Sequence, residues 1–128
     1  MAKILLAGED QMTLDNMEAT LSGEGHEVIA AATGLEAYET ALSENPDLVY
    51  LEVNMPVFNG FETCEMIRED PEIPKNLPLV LIADDDVPVK KMEQYEVTNQ
   101  LPKNHLSIHL CEMTINTLGA KDPSEIGS

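Results

Sequence analysis

Charged and polar residues follow apolar runs at four places where they could act together. Gly8-Glu9-Asp10 follows Ile4-Leu5-Leu6-Ala7, and Glu52-Val53-Asn54-Met55-Pro56 follows Leu48-Val49-Tyr50-Leu51. Ala83-Asp84 follows Leu79-Val80-Leu81-Ile82, and Pro102-Lys103 follows Gln100-Leu101. Brought to one edge, Gly8, Glu9, Asp10, Ile82, Ala83 and Lys103 would border a pocket above Glu52. Carboxylate and amide oxygens suit a hard cation such as Mg²⁺, with Glu9, Glu52 and Asn54 as the candidate ligands. The Lys103 ammonium would offset charge on phosphoryl oxygens.

Such a pocket needs strands that end together, and the pattern supplies them. Five short apolar runs alternate with five helix-like stretches. After the first run, Leu14, Met17 and Leu21 recur at helical spacing, and Gly23 and Gly25 punctuate the end. Val28-Ile29-Ala30 reads as the second strand. Leu35, Tyr38 and Leu42 mark a second helix, and Phe61, Cys64 and Ile67 a third. A weak fourth helix is expected near Val89 to Tyr95. The last helix has a broad apolar face, from Leu106, Ile108, Leu110, Cys111, Met113, Ile115, Thr117 and Leu118. Met12, Met17, Met66, Met92 and Met113 read as core filler.

Uniformly apolar strands imply burial on both faces, hence a parallel sheet between helix layers. The fold class is therefore α/β, a doubly wound five-stranded parallel sheet. In such sheets ligands bind outside the carboxyl ends of the strands, where these four segments fall. Residues 1–119 form the domain, and Gly119 is expected to end the last helix before a flexible tail, 120–128.

Composition narrows the functions. At 128 residues the chain fits one domain. The net charge of −17, from 24 acids and 7 bases, argues against nucleic acid, whose phosphates need clustered Lys and Arg. It also disfavours anionic membrane surfaces. No apolar run approaches the roughly 20 residues of a membrane span, and the N-terminus reads as a buried strand rather than a signal peptide. Cys64 and Cys111 are expected as reduced thiols, which with the rest suggests the cytoplasm.

Several motifs together resemble the receiver domains of two-component response regulators. They are Gly25-His26-Glu27-Val28 through Ala32-Thr33-Gly34-Leu35-Glu36-Ala37, then Pro46-Asp47-Leu48-Val49-Tyr50-Leu51-Glu52-Val53-Asn54-Met55-Pro56, and Asn59-Gly60. The resemblance runs from residue 3 to about 118. It implies the flavodoxin-like receiver fold, with strand order 2-1-3-4-5. It also implies a role in two-component signalling or a phosphorelay, and no enzyme activity of a conventional kind.

The departures from the family pattern carry more information. Two adjacent acids that hold Mg²⁺ in the family are here Gly8 and Glu9, with Asp10 one place out of register. The phosphoryl-accepting aspartate is Glu52, the hydroxyl residue ending strand four is Ile82, and the aromatic switch residue is Gln100. Lys103 is kept, but the proline after it is Asn104, so the family's cis peptide bond is not expected. Glutamate moves the carboxylate by roughly 1.5 Å, and a misplacement of about 1 Å can cost on the order of a hundredfold in rate. These losses together imply a pseudo-receiver, a phosphorylation-independent protein-interaction module. A Glu52–Lys103 ion pair then reads as a fixed conformation.

The partner surface implied by the resemblance comprises Lys90, Lys91, Tyr95, Gln100 and His105, a basic spot on an acidic protein. Its partner would be a protein of a signalling pathway, a histidine kinase or an output protein. No cofactor is required, and weak Mg²⁺ binding stays open. The alternative is an atypical receiver still phosphorylated on Glu52; a flavin-type cofactor binder ranks lower, because no Ser/Thr-rich phosphate loop follows strand one. His105, His109 and Glu112 at helical spacing suggest a metal site less well than an exposed helix face.

Overall fold

The computed structural model describes residues 2–121. Strands β1 (Lys3–Ala7), β2 (Glu27–Ala31), β3 (Leu48–Glu52), β4 (Leu79–Ala83) and β5 (Asn99–Pro102) form one parallel sheet, in the order β2-β1-β3-β4-β5. Helices α1 (Gln11–Gly23), α2 (Gly34–Glu44), α3 (Gly60–Glu69), α4 (Val89–Gln94) and α5 (Leu106–Lys121) alternate with them, and a 3-10 turn, Lys103–His105, leads into α5.

Every residue of β3 and β4 is buried, as sheet centres flanked by helices on both faces require. Alternate side chains divide into two cores. Leu5, Val49, Leu51, Leu79 and Leu81 pack with Ala37, Ala41, Cys64 and Ile67 from α2 and α3. Ile4, Leu6, Leu48, Tyr50, Val80 and Ile82 pack with Leu14, Met17, Leu21 and Leu110 from α1 and α5. Each fully buried aliphatic side chain contributes on the order of 2 kcal/mol. Tyr50 carries a hydroxyl into the second core, where it pairs with Thr114 at 2.7 Å. Burial pushes its phenol up to about 12, so it stays neutral.

The helices start where polar side chains cap them. Asp10 accepts from Thr13 N–H, Thr33 accepts from Glu36 N–H, and Asn59 and Glu62 close a reciprocal capping box. Among the described residues no helix is long and apolar enough to cross a membrane.

Some sequence expectations change. Ile108 and Ile115 are 70% and 65% exposed, so α5 buries a narrower stripe, Leu110, Thr114 and Thr117, at i, i+4 and i+7. Met12 is 75% exposed and Leu35 also faces outward, because α1 and α2 bury Leu14, Met17 and Leu21, and Ala37 and Ala41 instead. Gly119 does not end α5, which continues to Lys121; the rest of the expected tail, 122–128, lies outside the described residues. Cys64 is a buried core thiol, pushed up to about 12 by burial, and Cys111 is a half-buried free thiol beside Glu24.

Candidate functional site

Parallel register brings the carboxyl ends of β1, β3, β4 and β5 to one edge: Ala7 lies opposite Leu51, Glu52 opposite Ile82, and Ala83 opposite Pro102. The loops beyond them enclose a cavity of about 400 Å³, lined by Glu9, Asp10, Glu52, Val53, Asn54, Ile82, Asp84 and Lys103. Ile82 supplies an apolar wall with no hydroxyl. Most of the expected pocket residues are therefore brought together. Ala83 and Gly8 lie at the edge without lining the cavity, and Asp84 joins it.

Glu52 is 4% exposed, the only carboxylate among the described residues with so little contact with water. Both its oxygens are engaged. Oε1 accepts the Asp10 backbone N–H at 3.1 Å, and Oε2 lies 3.1 Å from Lys103 Nζ. The same ammonium is 2.9 Å from Asp10 Oδ2. A buried carboxylate is tolerable only with such partners. The hydrogen bond from Lys103, followed by donation from Thr13, holds the Asp10 carboxyl at about 2 against its ordinary 3.8. Reciprocally, Asp10 raises the Lys103 ammonium, with burial opposing and Glu52 adding to the rise.

Gly8 explains how the longer acid fits. A Cβ on Gly8 would overlap Oε1 of Glu52 and would lie 2.5 Å from its Cγ and Cδ. The glutamate therefore occupies space that any other residue at position 8 would claim. Asp10 could be suspected from sequence only as an acid out of register; its pairing with Lys103 depends on the α1 N-cap placing it there.

A divalent cation, implied for such a pocket by the family resemblance, does not fit this donor set. Glu9, Glu52 and Asn54 border one cavity, yet the Glu52 oxygens are turned to Lys103 and the Asp10 N–H. Among the described residues no three His, Cys, Asp or Glu side chains are arranged to hold a metal ion. That statement covers His105, His109 and Glu112 as well; the two imidazoles meet edge to face, with ring centres 5.7 Å apart.

On β5, Gln100 is fastened to the segment between β4 and α4. Its Oε1 accepts Val87 N–H at 2.7 Å, and its Nε2 donates to Val87 O at 2.8 Å and approaches Met92 Sδ at 3.2 Å. On α4, Lys90 is exposed, while the Lys91 ammonium lies 4.1 Å from the centre of the Phe61 ring. Phe61 in turn meets Tyr95 at 5.3 Å. His105 is exposed on the 3-10 turn. Of the five expected partner-face residues, Lys91, Tyr95 and Gln100 are thus tied into internal contacts, while Lys90 and His105 are exposed.

The sequence profile of the response regulator receiver domain matches residues 4–115. The chain belongs to the response-regulator receiver family. This receiver is 33% identical over 89 residues to the transcriptional regulatory protein AfsQ1 of Streptomyces coelicolor, covering 70% of this chain and 39% of that protein. It is 28% identical over 92 residues to Protein PilH of Pseudomonas aeruginosa, covering 72% of this chain and 75% of that one. The solved structure of the Vibrio cholerae chemotaxis protein CheY4 superposes with a TM-score of 0.84 at 28% identity, over 91% of this chain and 98% of that one. The chain spans about two fifths of the length of AfsQ1 and of the Bacillus subtilis regulator PhoP, which it also matches. The receiver fold and strand order expected from sequence are those observed. Receiver domains are signalling modules of two-component systems, and that is this domain's class.

Proposed function

We propose that this receiver signals by phosphorylation-independent protein binding, with Glu52 standing where relatives carry the phosphoryl-accepting aspartate. The observation that carries the reading is the state of the Glu52 carboxylate, buried with both oxygens engaged by the Asp10 N–H and Lys103. In-line attack on a phosphoryl donor needs a carboxylate oxygen free to face it, held to within about 1 Å. Ile82 offers no hydroxyl to the transferred group, and Gln100 is already pinned to Val87. No cofactor is required for such a role, and the domain is not an enzyme.

The binding surface would be α4, β5 and the start of α5, with Lys90, Lys91, Tyr95, Gln100 and His105. Lys90 is the exposed basic group best placed to meet an acidic partner surface. The partner is a protein of the same pathway, a histidine kinase or an output protein, in the cytoplasm. Neither nucleic acid nor membrane suits a chain of net charge −17.

A second reading, a receiver still phosphorylated on Glu52, is favoured by one observation. Lys103 remains beside the cavity, where an ammonium could meet phosphoryl oxygens. Beryllofluoride with Mg²⁺ separates the two. Under the binding reading the amide spectrum of the whole chain is unchanged at millimolar reagent. Saturable, Mg²⁺-dependent shifts centred on Glu52 and Lys103 would establish the second reading instead.

A further inference from the structure

We propose that Gly8 and Glu52 work as one unit that closes the pocket to divalent cations, making Lys103 its resident cation. This coupling is independent of the binding role, since it concerns only what the pocket admits. It begins from volume. The Glu52 carboxylate occupies the space into which a residue 8 side chain would project: a Cβ there overlaps Oε1 and lies 2.5 Å from Cγ and Cδ. Retreat into the cavity would cost Glu52 both its contacts, Oε1 with the Asp10 N–H and Oε2 with Lys103.

Charge reinforces the closure. Lys103 bridges Glu52 at 3.1 Å and Asp10 at 2.9 Å, so the two best-placed carboxylates already share a cation. For Mg²⁺ to bind there, the ammonium would have to leave. Mg²⁺ also demands near-octahedral oxygens at about 2.0–2.1 Å and gives up water reluctantly. Glu9, Asn54 and Asp84, all exposed, are too little to drive that exchange. Adding an acid at position 8 cannot repair the site alone, because the new side chain collides with Glu52. Shortening Glu52 alone withdraws its carboxylate by roughly 1.5 Å but leaves an empty place at position 8. Both changes together would leave carboxylates at positions 8, 9 and 52 with room for each.

The test compares four forms of the full chain: the native protein, Gly8→Asp, Glu52→Asp and the double variant. Each is titrated with MgCl₂ at constant ionic strength, following backbone amides and the thermal midpoint, with MnCl₂ broadening as a local probe. The native protein and Gly8→Asp should give no saturable response up to millimolar Mg²⁺. Gly8→Asp should melt at least roughly 5 °C below the native protein, and adding Glu52→Asp should recover most of that loss. The double variant should bind Mg²⁺ at least tenfold more tightly than Glu52→Asp, with broadening at residues 8, 9 and 52. Saturable native shifts at Glu9, Glu52 and Asn54 would overturn the closure. A double variant no more stable than Gly8→Asp, or binding no better than Glu52→Asp, would overturn the coupling. Gly8→Ala isolates the steric part: native-like stability there would sink it too.

Discussion

Two cations organise opposite ends of this domain in different ways. Lys103 faces carboxylates, Asp10 and Glu52, at the carboxyl edge of the sheet. Arg68, on α3 and 8% exposed, faces among the described residues no carboxylate at hydrogen-bonding distance but a ring of neutral oxygens. Its Nε donates to Glu96 O at 3.0 Å, its Nη1 to Lys75 O at 3.0 Å and Leu77 O at 2.8 Å, and its Nη2 to Thr98 Oγ1 at 3.4 Å. Arg68 therefore joins the segments entering β4 and β5, each of which would otherwise leave carbonyls short of donors. The planar guanidinium suits several fixed acceptors at once; the ammonium of Lys103 acts as a compact point charge. The lesson is a division of labour. Substitution at Arg68 should change whether the domain folds, whereas substitution around Lys103 should change what the pocket admits.

Arg68→Met tests the first half and should have the largest effect on stability. It removes all four hydrogen bonds and strands acceptors that are partly or wholly buried, a loss of about 3 kcal/mol. Urea denaturation should show the midpoint falling accordingly, and Arg68→Lys should restore only part, since an ammonium cannot span the same oxygens. A loss below about 1 kcal/mol would mean that water replaces the guanidinium and that Arg68 is no different in kind from a surface charge.

Between the two cations lies a neutral device, the Gln100 amide clamped on Val87. Gln100→Leu keeps the volume and removes both hydrogen bonds, so the Val87 N–H and C=O lose their partners. The expected loss is roughly 1–2 kcal/mol, with faster hydrogen exchange at the Val87 amide. Amide shifts of Asp10 and Lys103 should stay in place, because the clamp touches neither. If they move, the clamp and the pocket are coupled, and the separation drawn between them fails.

The fold was legible because it rests on periodicity. Val49 to Leu51 and Leu79 to Ile82 are apolar without alternation, which only a sheet covered on both faces explains. The pocket's membership was legible for the same reason, since strand ends set it. Its internal pairing was not. Nothing in the spacing of Gly8 and Glu52 reveals that one fills the space of the other, because that depends on a rotamer and on side-chain packing between strands. Arg68 was invisible too: three of its four acceptors are backbone oxygens, which every residue possesses. Ile108 and Ile115 looked like core, as apolar type alone does not say which stripe of a helix turns inward.

The sharpest effect on charge is expected for Lys103→Met. The pair with the partly exposed Asp10 is screened by solvent and adds little, whereas Glu52, buried and left with the Asp10 N–H alone, accounts for most of the cost. The Asp10 carboxyl, held at about 2 chiefly by Lys103, should titrate closer to its ordinary 3.8. A carboxyl whose folded value is depressed adds stability that is present above the unfolded value and is lost as pH falls through the folded one. In the native protein the Asp10 contribution is therefore present above about 3.8 and declines toward 2. In Lys103→Met that portion of the acid slope should shrink, leaving what donation from Thr13 maintains. Carbon-detected carboxyl titration and urea midpoints between pH 2 and 5 read the two consequences separately. An Asp10 midpoint still near 2 in the variant would assign the depression to the helix cap. Lys103 would then be a bystander at Asp10, and the contrast with Arg68 would rest on Glu52 alone.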